Sequence, residues 1–139
     1  MSYYLDSSVV VAALLSDQLG HDESLALLEG GVCVASTHTL LETFSTLTGG
    51  KLRFRVDADV AARLIAESVV PRVSAVMLTV DEVIEALRNA RDHSVRGGGV
   101  YDYMHLVAAR KANATVLYTL NLADFQHLQR TGDPEIRRP

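Results

Sequence analysis

Five side chains far apart in the sequence could act together on a metal ion and a phosphate. They are Asp6 in "YYLDSSVVVAALL", Glu42 in "STHTLLETFSTLT", Asp102 in "GGGVYDYMHLVAA", and Asn121 and Asp124 in "LYTLNLADF". Carboxylates gathered without a lysine or arginine repel one another and raise their own pKa values. A divalent cation removes that difficulty. Mg²⁺ or Mn²⁺ prefers oxygen ligands, keeps several waters, and is typically held by one or two carboxylates together with substrate phosphate. Such an ion can activate water and stabilise a phosphodiester during in-line displacement, so the chemistry implied is metal-dependent phosphodiester hydrolysis. The competing reading makes these residues helix caps and solvated acids, Asp102 above all, because acids are common at helix starts.

Only the fold can bring such distant residues together. "YYLD", "VCVAS", "AVMLTV" and "TVLYTL" read as short strands, separated by stretches of helical period. Ser7 or Ser8 can cap the first helix, and "DESLALLEGG" forms a second, ended by glycines. A helix follows from about Thr37 to Leu47, and another places Val60, Ala61, Leu64 and Ile65 on one face before Pro71 closes it. Asp81 is a plausible cap for "EVIEALRNARDHS", with Val83, Ile84 and Leu87 as its inward stripe. "RGGGV" reads as a bend for close backbone approach, before a helix from about Tyr101 to Lys111. Strands separated by helices predict a mainly parallel sheet with right-handed crossovers and helices on both faces. Open parallel sheets bind ligands outside the carboxyl ends of their strands. Each of the five polar residues falls just past a strand or near the start of a helix.

The chain has 139 residues, enough for a single domain over 1–139, with a loose tail expected from about Thr131. Hydrophobic residues make up 48% and charged residues 22%, which argues against extensive disorder. The one cysteine, Cys33, lies in an apolar run and reads as a buried thiol, compatible with a reducing cytoplasm. No run is long enough for a membrane span, and the start lacks the pattern of a signal peptide, so a cytoplasmic location is expected. The net charge of −4 offers nucleic acid no general attraction; a local basic patch or bound cations would have to supply it.

Taken together, "YLDSSVVVAAL", "STHTLLETFSTLT", "RGGGVYDYMHLVAA" and "LYTLNLADF" resemble, in order, the acidic motifs of the PIN-domain nucleases, particularly the VapC-type toxins. The resemblance covers about residues 3–128. It implies a three-layer α/β/α sandwich and an Mg²⁺- or Mn²⁺-dependent endoribonuclease, the toxin of a type II toxin–antitoxin system. Asp6, Glu42 and Asp102 match the family's first three acids. Ser8 matches the small polar residue that shapes the metal site, and Thr119 the threonine before the fourth acidic position. There the chain departs: Asn121 aligns with the usual aspartate, and Asp124 falls three residues later. One metal held mainly by Asp6 and Asp102 is therefore expected, with Glu42 and Asp124 or Asn121 acting through waters or on a second ion. The resemblance further implies an RNA substrate, a cognate VapB-type antitoxin and a homodimer. An inactive PIN fold that binds RNA or protein is the alternative, motivated by Asn121.

Other residues admit two readings each. His105, three residues after Asp102, either touches a carboxylate or substrate or is a packing histidine; His38 and His93 have no catalytic motif around them. Lys51, Arg53 and Arg55, and Arg88, Arg91 and Arg96, either hold an RNA backbone or form solvated faces. Tyr101 and Tyr103 either stack on a base or pack in the core. The "LDSS" strand end also suggests an aspartyl-phosphate enzyme, but Ser8 stands where the second aspartate of that group is usual.

Overall fold

The computed structural model describes residues 1–139. In chain order its elements are β1 (Tyr3–Leu5), α1 (Ser7–Leu14), α2 (His21–Glu29), β2 (Cys33–Ser36), α3 (Thr37–Thr48), α4 (Ala58–Leu64), β3 (Val73–Val76), α5 (Val80–Arg88), α6 (Gly99–Lys111), β4 (Val116–Tyr118), α7 (Leu122–Gln126) and β5 (Glu135–Arg137). The five strands form one sheet in the order β3-β2-β1-β4-β5, and every pairing is parallel.

Period-two alternation divides the core between the two sheet faces. Tyr4, Val34 and Leu117 point to a layer completed by Ala86 of α5, Tyr103 and Leu106 of α6, and Phe125 of α7. Leu5 and Cys33 point the other way, onto Val9, Val10 and Ala13 of α1, Leu28 of α2 and Val69 beyond α4. The result is the α/β/α sandwich expected. The chain leaves β1 toward β2 and β3 on one side, then crosses to β4 and β5 on the other. The order therefore reverses between β1 and β4, and the carboxyl ends of these two strands are where an open parallel sheet binds its ligands.

Several local expectations need correction. Asp6 itself caps α1, its carboxylate accepting from the Val9 amide at 3.2 Å, so neither Ser7 nor Ser8 is the cap. The cap of α5 is Thr79, in a reciprocal pair with Glu82, while Asp81 only favours the helix dipole from the first turn. The third strand begins two residues early, at Val73, because it pairs Val73 to Val76 against Cys33 to Ser36. On α5 only Ala86 is fully buried, and Ile84 and Leu87 are exposed rather than inward. Nothing lies within 4 Å of a Cβ built at Gly97, Gly98 or Gly99, so close approach does not explain them; Gly97 alone needs its freedom, at φ +56°. The segment after Thr131 is not a loose tail: β5 is the parallel edge strand beside β4, and Asp133 accepts from Nε and Nη2 of Arg110.

Candidate active site

Asp6 sits where β1 ends and α1 begins, 3% exposed, at the switch point between β1 and β4. Oδ1 accepts from Ser8 Oγ at 2.6 Å and from the Val9 amide, while Oδ2 accepts from Thr119 Oγ1 at 2.7 Å. Ser8 in turn accepts the Leu120 amide at 3.0 Å, and Thr119 accepts the Asn121 amide at 2.9 Å. The two hydroxyls thus join the start of α1 to the exit of β4 and fix the Asp6 carboxylate between them.

Glu42 approaches from α3. Its Oε1 is bonded by His105 Nε2 and lies 3.5 Å from His38 Nε2. His105, from α6, is 1% exposed, and its Nδ1 lies 2.7 Å from the Tyr4 hydroxyl, which also bonds Ser36 Oγ at 2.8 Å. His105 therefore touches a carboxylate and belongs to the core at once. His38 has no catalytic motif around it in sequence, yet His38 and Glu42 stand four residues apart on one helix, a spacing that puts both on the same face.

Asp102 lies in the first turn of α6, partly buried, and Asp124 in the first turn of α7, exposed. Asn121 occupies the cap position of α7 without a capping bond from its side chain. Arg96 is exposed in the segment before α6, beside Arg91, and makes no bond to the acids. Lys51, Arg53, Arg55 and Arg88 are exposed too. Tyr103 is buried and donates to the Ala86 carbonyl at 3.0 Å, whereas Tyr101 is exposed and stacks on His38.

Burial raises the Asp102 pKa to about 6; the His105 charge works against this, and Asp124, Glu42 and Asp6 add to it. Asp124 acts on Asp102 more strongly than the other two acids do. Burial likewise raises Asp6, against the hydrogen bonds from Ser8 and Thr119. Burial also works to raise Glu42, but the bonds to His105 and His38 outweigh it and hold the carboxyl at about 2.

These shifts have opposite consequences for stability. Asp102 holds its proton more tightly folded than unfolded, so its contribution is complete below about pH 4 and is lost as pH rises through about 6. Glu42 contributes above its ordinary value of 4.5, and that contribution is lost as pH falls toward about 2. In the presence of a chelator, the melting temperature should therefore fall between about pH 5 and pH 7, and Asp102→Asn should flatten that fall. Scanning calorimetry across the range checks it; a melting temperature that climbs over the interval would contradict the assignment.

A family model described as the PIN domain matches residues 3–130. The chain belongs to the PIN domain family. No curated protein matches it in sequence. Among solved structures, the PIN domain resembles VapC20 of Mycobacterium tuberculosis, a sarcin-ricin loop cleaving toxin, with 24% identity over 84% of this chain and 87% of that one and a TM-score of 0.66. It resembles DNA-bound VapBC of Salmonella typhimurium with 18% identity, over 98% of this chain and 96% of that one, at a TM-score of 0.65. VapBC-1 of nontypeable Haemophilus influenzae is similar with 19% identity, over 99% and 98% of the two chains, at 0.64. At these identities the likeness is one of fold.

Proposed function

We propose that this PIN domain is a metal-dependent endoribonuclease and the toxin of a toxin–antitoxin pair. The observation that carries the reading is the set of acids acting on one another at the switch point. Asp102 feels the charges of Asp124, Glu42 and Asp6, with His105 opposing them. That donor set fits a hard divalent cation such as Mg²⁺ or Mn²⁺. Asp6 and Asp102 would hold the ion, with Asp124 as the fourth acid, the carboxylate being the stronger ligand for a hard cation than the neutral oxygen of Asn121.

When bound, the ion supplies charge neutralisation at the scissile phosphate and a more acidic water. The chain's own residues do the positioning. Ser8 and Thr119 hold the Asp6 carboxylate in one orientation, each with a hydroxyl donated to a different oxygen. Glu42 stays ionised at neutral pH, with Oε1 turned to the histidines, leaving Oε2 to accept a hydrogen bond from the attacking water. A carboxyl held at about 2 is a poor proton acceptor, so Glu42 orients the water rather than deprotonating it. Arg96 and its basic neighbours would meet phosphates outside the acids. The expected products carry a 5′-phosphate and a 3′-hydroxyl. Purified protein on total RNA with Mg²⁺ or Mn²⁺ tests the reading; RNA binding without metal-dependent cleavage would favour a non-catalytic module.

The VapBC neighbours support a cognate VapB-type antitoxin as partner. No helix is long and apolar enough to cross a membrane, and a cytoplasmic location accords with an RNA substrate. A homodimer is supported by the apolar side of α5 and the segment before it, where Met77, Val80, Ile84 and Leu87 are all exposed. Ile84→Glu combined with Leu87→Glu should shift the protein to monomer in light-scattering chromatography while its circular dichroism spectrum stays that of the folded chain. A dimer that survives both changes would place the contact elsewhere.

A further inference from the structure

The ligand-forming atoms of His38, Glu42 and His105 all lie within 4.8 Å of one another. His38 and Glu42 come from one face of α3, and His105 enters from α6. His38 Nε2 is buried without a hydrogen-bond partner, 3.5 Å from Glu42 Oε1. Its ring is held against Tyr101, with centroids 5.3 Å apart and planes 13° apart, so the nitrogen has a fixed direction. His105 is oriented from behind. The Tyr4 hydroxyl donates its hydrogen to Ser36 Oγ at 2.8 Å, so at the 2.7 Å contact with His105 its oxygen accepts from Nδ1. A hydrogen on Nδ1 is the tautomer that a histidine needs when Nε2 binds a metal, and such an outer partner is usual behind a metal-binding imidazole.

We propose that His38, Glu42 and His105 form a second metal site, selective for zinc and similar late transition ions over magnesium. Two imidazoles and one carboxylate suit zinc, with a fourth position open to water; the acids around Asp102 offer oxygen alone and suit harder ions. Binding displaces the hydrogen held between His105 Nε2 and Glu42, which leaves to solvent as a proton. Because the site takes Glu42, zinc would oppose magnesium-supported cleavage. That last consequence rests on the ribonuclease reading, whereas the site itself does not.

The full-length protein, stripped with a chelator and dialysed, is titrated near neutral pH with Zn²⁺ against a chromogenic chelator. One zinc per chain is expected. His38→Ala should weaken it at least about a hundredfold, and Tyr4→Phe, which removes the oxygen behind His105, about ten- to a hundredfold. Asp102→Asn should weaken zinc by less than about tenfold, far less than His38→Ala, since Asp102 lies outside the ligand set and acts on it only through its charge. Co²⁺ in place of zinc should give the visible bands of a four-coordinate site in wild type and not in His38→Ala. His38 is only partly buried, so its replacement leaves the core intact, as a thermal melt would verify. No zinc binding, or affinity unchanged in His38→Ala, overturns the proposal. So does affinity lost in Asp102→Asn instead, which places the ion among the acids.

Discussion

Asp6→Asn should lower metal-dependent RNA cleavage by about three orders of magnitude, equivalent to roughly 4 kcal/mol of transition-state stabilisation. The substitution exchanges a charged metal-binding oxygen for an amide and leaves the shape of the side chain unchanged. The asparagine oxygen can still accept from Ser8 Oγ and the Val9 amide, and asparagine is as good a helix cap as aspartate. Its amide can donate to Thr119 Oγ1, at the expense of that hydroxyl's own acceptor. Burial disfavours the ionised Asp6, so removing the charge offsets this loss. The metal-free melting temperature at pH 7 should therefore hold or rise while activity disappears. Asp6→Ala is the contrasting variant: it deprives three donors of their acceptor and removes the cap, costing about 1–3 kcal/mol. Full cleavage by Asp6→Asn would remove Asp6 from the chemistry.

Phe125→Ala should destabilise the protein by about 3–5 kcal/mol, lowering the melting temperature by roughly 10–20 °C. Phe125 is 1% exposed and packs in the layer that holds Tyr4, Leu106 and Leu117, with its ring centroid 6.3 Å from that of His105. The loss is a sizeable part of the whole stability of a domain this size. It should also reach the site. α7 has five residues, too few to stand as a helix without tertiary packing, and Phe125 is its buried anchor. Releasing it frees Asp124, the neighbouring residue, from its place near Asp102. Cleavage measured well below the lowered melting temperature should fall about tenfold, whereas Phe125→Leu should recover most of both losses. Asp124→Asn separates the two effects, reducing cleavage with the melting temperature unchanged. If Phe125→Ala unfolds early but cuts RNA normally when cold, α7 does not position Asp124.

The layout of strands and helices was legible because period-two and period-3.6 patterns are local. Tyr4 and Leu5 alternate between faces, and the acids follow strands, so a parallel sheet with one functional rim could be read from residue order. Caps were less legible. Asp6, Ser7 and Ser8 are all good N-caps, and the choice rests on where β1 stops, which pairing with β2 and β4 decides. The order of the tail was invisible for the same reason: "PEIRR" becomes a strand only because β4 offers it an edge. Ile84 and Leu87 look inward by spacing alone, yet only Ala86 is fully buried, because helical period says which residues share a face and not what that face meets.

The same division holds at the site. Residue order alone places Asp6 at a strand end, Asp102 near a helix start and Glu42 one turn into α3, and it splits the fourth position between Asn121 and Asp124. Which groups answer them follows from packing. Ser8 and Thr119 close on Asp6 from opposite ends of the chain, and His105 crosses from α6 to Glu42 on α3. The Asp124 charge adds to those of Glu42 and Asp6 on Asp102. His38 stands beside Glu42 by helical spacing alone, and meets His105 only once α3 and α6 pack. Local pattern is written in neighbours along the chain, but electrostatic partners are set by distance in space, and those distances exist only after the sheet has drawn its strand ends together.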